Sequence, residues 1–298
     1  MRACSWGACQ AEAVAAPGTL ARPGGDADKG QVLTACTTRV ALFALLAALC
    51  AAGWGGDKGF KDPDPPVGAA LLPDIVPTPP KHVQLFRKGK VWELAFTSIL
   101  VNIGEGDFIL RAKRDGDGDW HADQVIEHAT SGAEVVPTPA DLVWGGDGHD
   151  HWHIERVATN RLVRLGADGK PTKETVGVDS KVGFCYYDFK KVLDTGPRSA
   201  RYVHETCGKE NDVYIGMGLS PGWEDVYPFL LPGQTIDITD LPDGKYRMWV
   251  NADEPRWFRE VTHDNNITWI DIDLSTVGPN RYAGVIKTGP TPIPGSKP

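Results

Sequence analysis

From residue 71 onward, apolar and polar residues alternate or fall into short β-branched blocks bounded by Gly, Pro, Asn and Asp. Residues 71–76 (Leu-Leu-Pro-Asp-Ile-Val) read as a short strand start, closed by Pro77, Pro79 and Pro80. Residues 91–102 alternate and carry Val91, Val101 and Ile99, so the pattern predicts a strand there. Gly104-Glu105-Gly106-Asp107 predicts a turn, and residues 108–112 the next strand. Asp115-Gly116-Asp117-Gly118-Asp119 has the look of a calcium loop. It lacks the glycine and the bidentate acid at the offsets an EF-hand needs, so it is read as a hairpin turn, with residues 123–128 returning as a strand. Further strands are predicted at 149–155, 161–165, 181–188, 235–238 and 245–251, with residues 267–272 as the last. Residues 190–214 are polar and irregular, and Gly216 to Trp223 reads as a loop leading to Glu224-Asp225-Val226-Tyr227. No long helical period occurs. Many short strands with regular turn signals predict an all-β protein, a β-sandwich with long irregular loops.

Composition agrees with that picture. The 34 Gly and 23 Pro among 298 residues call for many turns. The net charge of −8 argues against nucleic acid as a partner, while suiting a cationic substrate such as an amine.

Ahead of the strands, Arg39 introduces an apolar run at 40–49 that turns small and polar after Cys50-Ala51-Ala52-Gly53. A basic residue, a short apolar core and small residues describe a secretory signal, and the run is too short for a comfortable membrane span. The expected organisation is a leader at 1–52, a Gly/Asp/Lys/Pro linker at 53–70, one domain at 71–287 and a Pro-rich tail at 288–298. The expected location is secreted or periplasmic. Lipid attachment at Cys50 is the weaker reading of the leader, because Leu49 is larger than such processing usually tolerates. With the leader removed, Cys185 and Cys207 remain, and two cysteines in an exported chain are most simply one disulfide.

The candidate chemistry begins at Gly148-His149-Asp150-His151-Trp152-His153-Ile154-Glu155. In a strand, His149, His151 and His153 share one face, with Asp150, Trp152 and Ile154 on the other. Three neutral imidazoles suit copper, zinc, iron or nickel, and a set of three leaves coordination positions open. Residues i and i+4 of a flat strand lie about 13 Å apart, so the strand must bend or the outer side chains must lean inward. Gly145, Gly146 and Gly148 make a bend easy. Glu155 falls on the histidine side by alternation. Trp152 and Trp223 read as packing residues, and His82, His121, His128, His204 and His263 as ordinary surface or hydrogen-bonded histidines.

In order along the chain, the motifs resemble the lysyl oxidase catalytic domain over roughly residues 71–275. They are His149-Asp150-His151-Trp152-His153, Lys181 before Phe184-Cys185, Leu219-Ser220-Pro221-Gly222 before Tyr227, Leu241-Pro242-Asp243-Gly244-Lys245-Tyr246, and Glu260 with Asn265-Asn266. Pro73-Asp74-Ile75-Val76, Leu94-Ala95-Phe96 and Val101-Asn102 before Gly104 are similar too. The single candidate disulfide resembles the family's microbial branch. The resemblance implies copper bound by His149, His151 and His153. It implies lysine tyrosylquinone made from Lys181 and Tyr227, which needs Lys181 neutral and hence desolvated or close to the metal. It also implies a calcium site from Asp74, the Ile75 carbonyl, Glu260, Asn265 and Asn266. The implied activity is oxidation of primary amines, either peptidyl lysine or small amines, to aldehydes with O2, releasing NH3 and H2O2. An amine or lysine-containing protein would be the partner.

The chain departs from the family at several points. Glycines replace the histidine and cysteine that often precede the copper motif, most other family cysteines are missing, and Thr262 stands where an aspartate is expected. Two further readings of the three histidines remain open: a copper- or zinc-binding β-sandwich without quinone maturation, and a metal-dependent hydrolase. The presence of both Lys181 and Tyr227 favours the oxidase over the first of these.

Overall fold

The computed structural model describes residues 59–145, 150–179 and 183–294. The leader expected at 1–52 lies outside them, as do His149 and Lys181. In chain order the strands are β1 (Ile75–Pro77), β2 (Lys81–Lys88), β3 (Val91–Asn102), β4 (Phe108–Arg114), β5 (Trp120–Glu127), β6 (Ala133–Pro137), β7 (Leu142–Trp144), β8 (Trp152–Glu155), β9 (Ala158–Leu165), β10 (Pro171–Val178), β11 (Gly183–Phe184), β12 (Lys190–Lys191), β13 (Tyr214–Leu219), β14 (Trp223–Tyr227), β15 (Thr235–Asp237), β16 (Gly244–Ala252), β17 (Ile267–Val277) and β18 (Asn280–Thr288). A single 3-10 turn, His204–Cys207, interrupts them among the described residues. The fold is all-β, as the alternation predicts, and the strand pairs are antiparallel.

β3 is the spine of a six-stranded sheet that includes β1, β2, β12, β14 and β15. Every β3 residue from Leu94 onward is buried, which is why this stretch carries apolar residues on both faces. A second sheet has the order β10-β9-β16-β17-β18. Leu94 and Phe96 of β3 and Ile236 of β15 pack against Leu162, Tyr246, Met248, Ile270, Ile272 and Leu274 of that sheet. This face-to-face packing makes the sandwich.

A larger core lies beside it. There Phe108 and Leu110 of β4, Trp120 of β5, Ile215 and Met217 of β13, and Trp223 and Tyr227 of β14 meet Leu142, Trp152, Ile154 and Phe184 from the three-stranded sheet β11-β8-β7. The short histidine-bearing sheet therefore rests on well-packed strands from elsewhere in the chain.

Asp115 to Asp119 is the β4–β5 turn. The Asp115 carboxylate accepts the amides of Asp117 (2.9 Å) and Asp119 (3.0 Å), so the acidic residues serve their own backbone. The sheets extend further toward the C-terminus than the alternation indicates: β17 runs to Val277, and β18 follows it. β18 is an edge strand, mostly exposed, so no buried face imposes a period on its sequence. Residues 64–70 lie along the β5–β6 hairpin, with bridges Val67–Ser131 and Ala70–His128, while Phe60 packs on Tyr214 of β13. Among the described residues no helix is long and apolar enough to cross a membrane.

Candidate metal centre

In β8, Trp152 and Ile154 point into the larger core. Trp152 sits edge-on to Trp120 (ring centroids 4.8 Å) and Trp144 (5.4 Å), and its Nε1 donates to the Lys209 carbonyl at 2.9 Å. Alternation then turns His153 to the opposite face. The strand starts only at Trp152; His151 lies in a bend just before it, closed by the Gly145 amide donating to the His151 carbonyl at 3.1 Å. The bend lets His151 lean over, so its Nε2 lies 2.9 Å from Nε2 of His153. Two nitrogens bound to one ion at about 2.0–2.1 Å each would be separated by about 2.9–3.3 Å for angles between square and tetrahedral. The spacing thus fits a shared metal ion, and both imidazoles are buried.

β11 rides on β8, pairing Gly183 with Glu155 and Phe184 with Ile154. A Cβ at Gly183 would come within 2.1 Å of the Ile154 carbonyl oxygen, so glycine permits this approach. Lys181 precedes Gly183 by two residues in sequence and lies outside the described residues.

Tyr227 ends β14, opposite Ser98 of β3. Its ring centroid is 4.4 Å from Phe184 and 6.2 Å from His153. The phenol oxygen accepts the Cys185 amide at 2.7 Å and donates to the Cys185 carbonyl at 3.2 Å. Burial holds the phenol far above the usual tyrosine range, and the nearby Asp225 carboxylate pushes the same way. Tyr227 is therefore a neutral, water-excluded phenol fixed beside the histidine pair. Cys185 is disulfide-bonded to Cys207, as the cysteine count suggests.

The Leu219-Ser220-Pro221-Gly222 loop that precedes Tyr227 has its own anchors. Ser220 donates through its amide (2.7 Å) and hydroxyl (2.8 Å) to Asp188, and the Gly222 amide donates to the Asn102 carbonyl at 2.8 Å. Gly222 has φ +78°, and a Cβ there would meet the Thr195 carbonyl oxygen at 2.6 Å, so glycine is required.

One residue at this centre has no motif to announce it. His204, whose sequence context suggests a surface histidine, opens the 3-10 turn that the disulfide ties to Cys185. Its ring centroid is 4.5 Å from that of His151, the same separation as His151 to His153. Tyr187 packs edge-on against its other side at 5.5 Å. Its only sequence signal is its position three residues before Cys207.

A second cluster joins β1 to the segment before β17. Glu260 accepts the Ile75 amide at 2.6 Å and the Asn266 side chain at 3.1 Å, while the Asn265 amide group donates to both Asp74 oxygens at 3.0 and 3.1 Å. Burial raises Asp74 above the usual carboxylate range and pushes Glu260 up to about 8, against the pull of the Ile75 and Asn266 donors. The side-chain oxygens of Asn265 and Asn266 are buried without a hydrogen-bond partner. Two carboxylates and two orphaned amide oxygens form a hard, oxygen-only donor set, which fits calcium. Asp253 and His263, not expected here, lie beside Glu260: His263 Nε2 is 3.5 Å from Asp253 and 3.9 Å from Glu260. Asp253 also accepts the Trp257 and Phe258 amides, so it braces the loop as well.

The site is an all-β scaffold on which two buried imidazoles converge beside a buried tyrosine, an arrangement that fits a metal ion. A family model described as Lysyl oxidase matches residues 125–279, just over half of the chain. The chain belongs to the lysyl oxidase family. Membership implies oxidoreductase activity of the copper amine oxidase type toward amine substrates. A search of curated proteins found no match.

Proposed function

We propose that this chain is a secreted or periplasmic copper amine oxidase that converts primary amines, peptidyl lysine or small amines, to aldehydes with O2, releasing NH3 and H2O2. His149, His151 and His153 would hold copper, and Lys181 and Tyr227 would be joined as lysine tyrosylquinone. Once in place, copper and the quinone supply electron transfer to oxygen and an electrophilic carbonyl toward the amine. The observation that carries the reading is the buried Tyr227, its ring centroid 6.2 Å from that of His153, whose Nε2 is 2.9 Å from that of His151.

The rest of the reading concerns what the chain's own groups do. Burial, with the Asp225 charge beside it, keeps the phenol proton on Tyr227, and the Cys185 backbone fixes the ring's orientation. Phe184 and the surrounding core exclude water from it. The histidine pair presents two nitrogens without needing to rearrange. Asp74, Ile75, Glu260, Asn265 and Asn266 would hold calcium as a brace between the first strand and the last segments of the domain.

The test uses the purified full chain, copper-loaded in air and treated with phenylhydrazine, followed by peptide mapping. The expected result is a coloured adduct on a peptide that joins Lys181 to Tyr227. Copper uptake with no adduct would sink the quinone assignment and favour a binding module or a hydrolase.

A further inference from the structure

We propose that His204 is an additional copper ligand, supplied from the 3-10 turn rather than from the histidine strand. The inference rests on the copper reading above and adds a ligand that the alternating motif does not contain.

Geometry is the first support. The ring centre of a bound imidazole lies about 3.2 Å from its metal, given a metal–nitrogen distance of about 2.0–2.1 Å. Two imidazoles on one ion then have centroids about 4.5–5.2 Å apart for angles between square and tetrahedral. His151–His153 and His151–His204 both measure 4.5 Å, with ring planes at 83° and 82°. His151 thus has two imidazole neighbours at the same centroid separation and nearly the same interplanar angle, and one of them, His153, is within ligand spacing at 2.9 Å.

Anchoring is the second support. His204 does not hang on a long loop. It begins the 3-10 turn that ends at Cys207, and Cys207 is bonded to Cys185, whose backbone holds the Tyr227 phenol. The amide of Thr206 and its hydroxyl both donate to the Val203 carbonyl, which fixes the turn. Tyr187 packs edge-on against the His204 ring and restricts its rotation. A merely solvated histidine would need none of this. The same disulfide therefore positions both the tyrosine and the fourth imidazole, 51 residues beyond His153 in sequence. His204 is exposed while His151 and His153 are buried, so it forms the solvent-facing rim of the site.

The test compares wild type with His204→Ala, both stripped and reloaded with copper(II) alone, by electron paramagnetic resonance with nitrogen modulation and by competition against a chelator. The variant should lose one imidazole from the copper signal. Its affinity should fall by at least the ~10–100-fold that loss of an outer partner costs. Adding imidazole should restore the missing nitrogen in His204→Ala and leave wild type unchanged, a rescue that a purely structural role would not give. Identical spectra and affinities in the two proteins would overturn the proposal while leaving the oxidase reading intact. Absence of copper binding by wild type would overturn both.

Discussion

Two clusters of ligand-type side chains occupy this domain, and they are built on opposite principles. Around His151 the donors are imidazole nitrogens set at a bend where a short strand begins, with one exposed ring at the rim. Around Glu260 the donors are oxygens: the Asp74 and Glu260 carboxylates are already engaged with backbone and amide groups 185 or more residues away, while the buried Asn265 and Asn266 oxygens have no hydrogen-bond partner. The first arrangement suits a borderline metal with open positions and room for a substrate; the second suits a hard cation that ties chain segments together. The difference teaches which kind of loss each should show. Damage to the nitrogen cluster should remove chemistry and spare stability, whereas damage to the oxygen cluster should remove stability and spare chemistry.

The sharpest way to break that contrast is Tyr227→Phe. Amine-dependent peroxide release should fall by at least about a thousandfold, because the variant lacks the oxygen on which a quinone must be built. The Cys185 amide loses its acceptor, so a cost of about 1–3 kcal/mol in unfolding free energy is expected from an unsatisfied buried donor. Copper uptake should be unchanged. Peroxide production at wild-type rate in this variant would remove tyrosine from the mechanism.

The oxygen cluster makes a prediction in pH. Glu260 in the fold sits at about 8, whereas an unfolded glutamate titrates near its ordinary value of 4.5. The metal-free fold therefore binds a proton that the unfolded chain gives up. Its contribution to stability is fully present below the unfolded value and is lost as pH rises through the folded one. Between pH 5 and 8 the metal-free protein should lose at most about 3.5 kcal/mol from this group. Calcium should abolish the loss, because the ion takes the proton's place. Denaturant unfolding in chelator, in calcium, and for Glu260→Gln measures it. Parallel stability curves for metal-free wild type and Glu260→Gln would show that Glu260 does not titrate in this window.

How much of this was legible in the sequence follows from what each feature depends on. β3, β9, β16 and the first half of β17 announce themselves because a buried face imposes a period of two, or burial on both faces imposes a continuous apolar run. β18 faces solvent over most of its length, and nothing selects its pattern. The need for a bend at the histidine motif was legible from its spacing and its glycines, and His151 does sit in a bend that closes onto Gly145, but the late start of the strand at Trp152 was not legible. His204 was invisible for a different reason. It reaches the centre through the disulfide and through packing on Tyr187, relations that leave no spacing in the chain. Asp253 and His263 come beside Glu260 in the same way, by folding of the loop that Asp253 itself braces. Local order is written in sequence as periodicity, while long-range convergence is visible only where a motif already known to converge is present.

The smallest effect tests the calcium half of the comparison. Thr262 stands where the family resemblance leads one to expect an aspartate, and its hydroxyl accepts the Asp264 amide at 3.1 Å. An aspartate there can accept the same amide, so Thr262→Asp should leave the loop intact. It would add a carboxylate next to a cluster that already holds Asp74, Asp253 and Glu260. Without metal, the extra negative charge should lower stability slightly. With metal, ligand charge count sets affinity, and one more carboxylate should tighten calcium binding by about tenfold, or ~1.4 kcal/mol. Calorimetric titration of both proteins with calcium, and with magnesium as the control ion, gives the answer. Tighter calcium binding with little change for magnesium would mark this as a calcium site that the chain has tuned to be weak. Equal calcium affinity in the two proteins would mean that position 262 does not face the cation, and that Asp74, Glu260 and the two asparagines act alone.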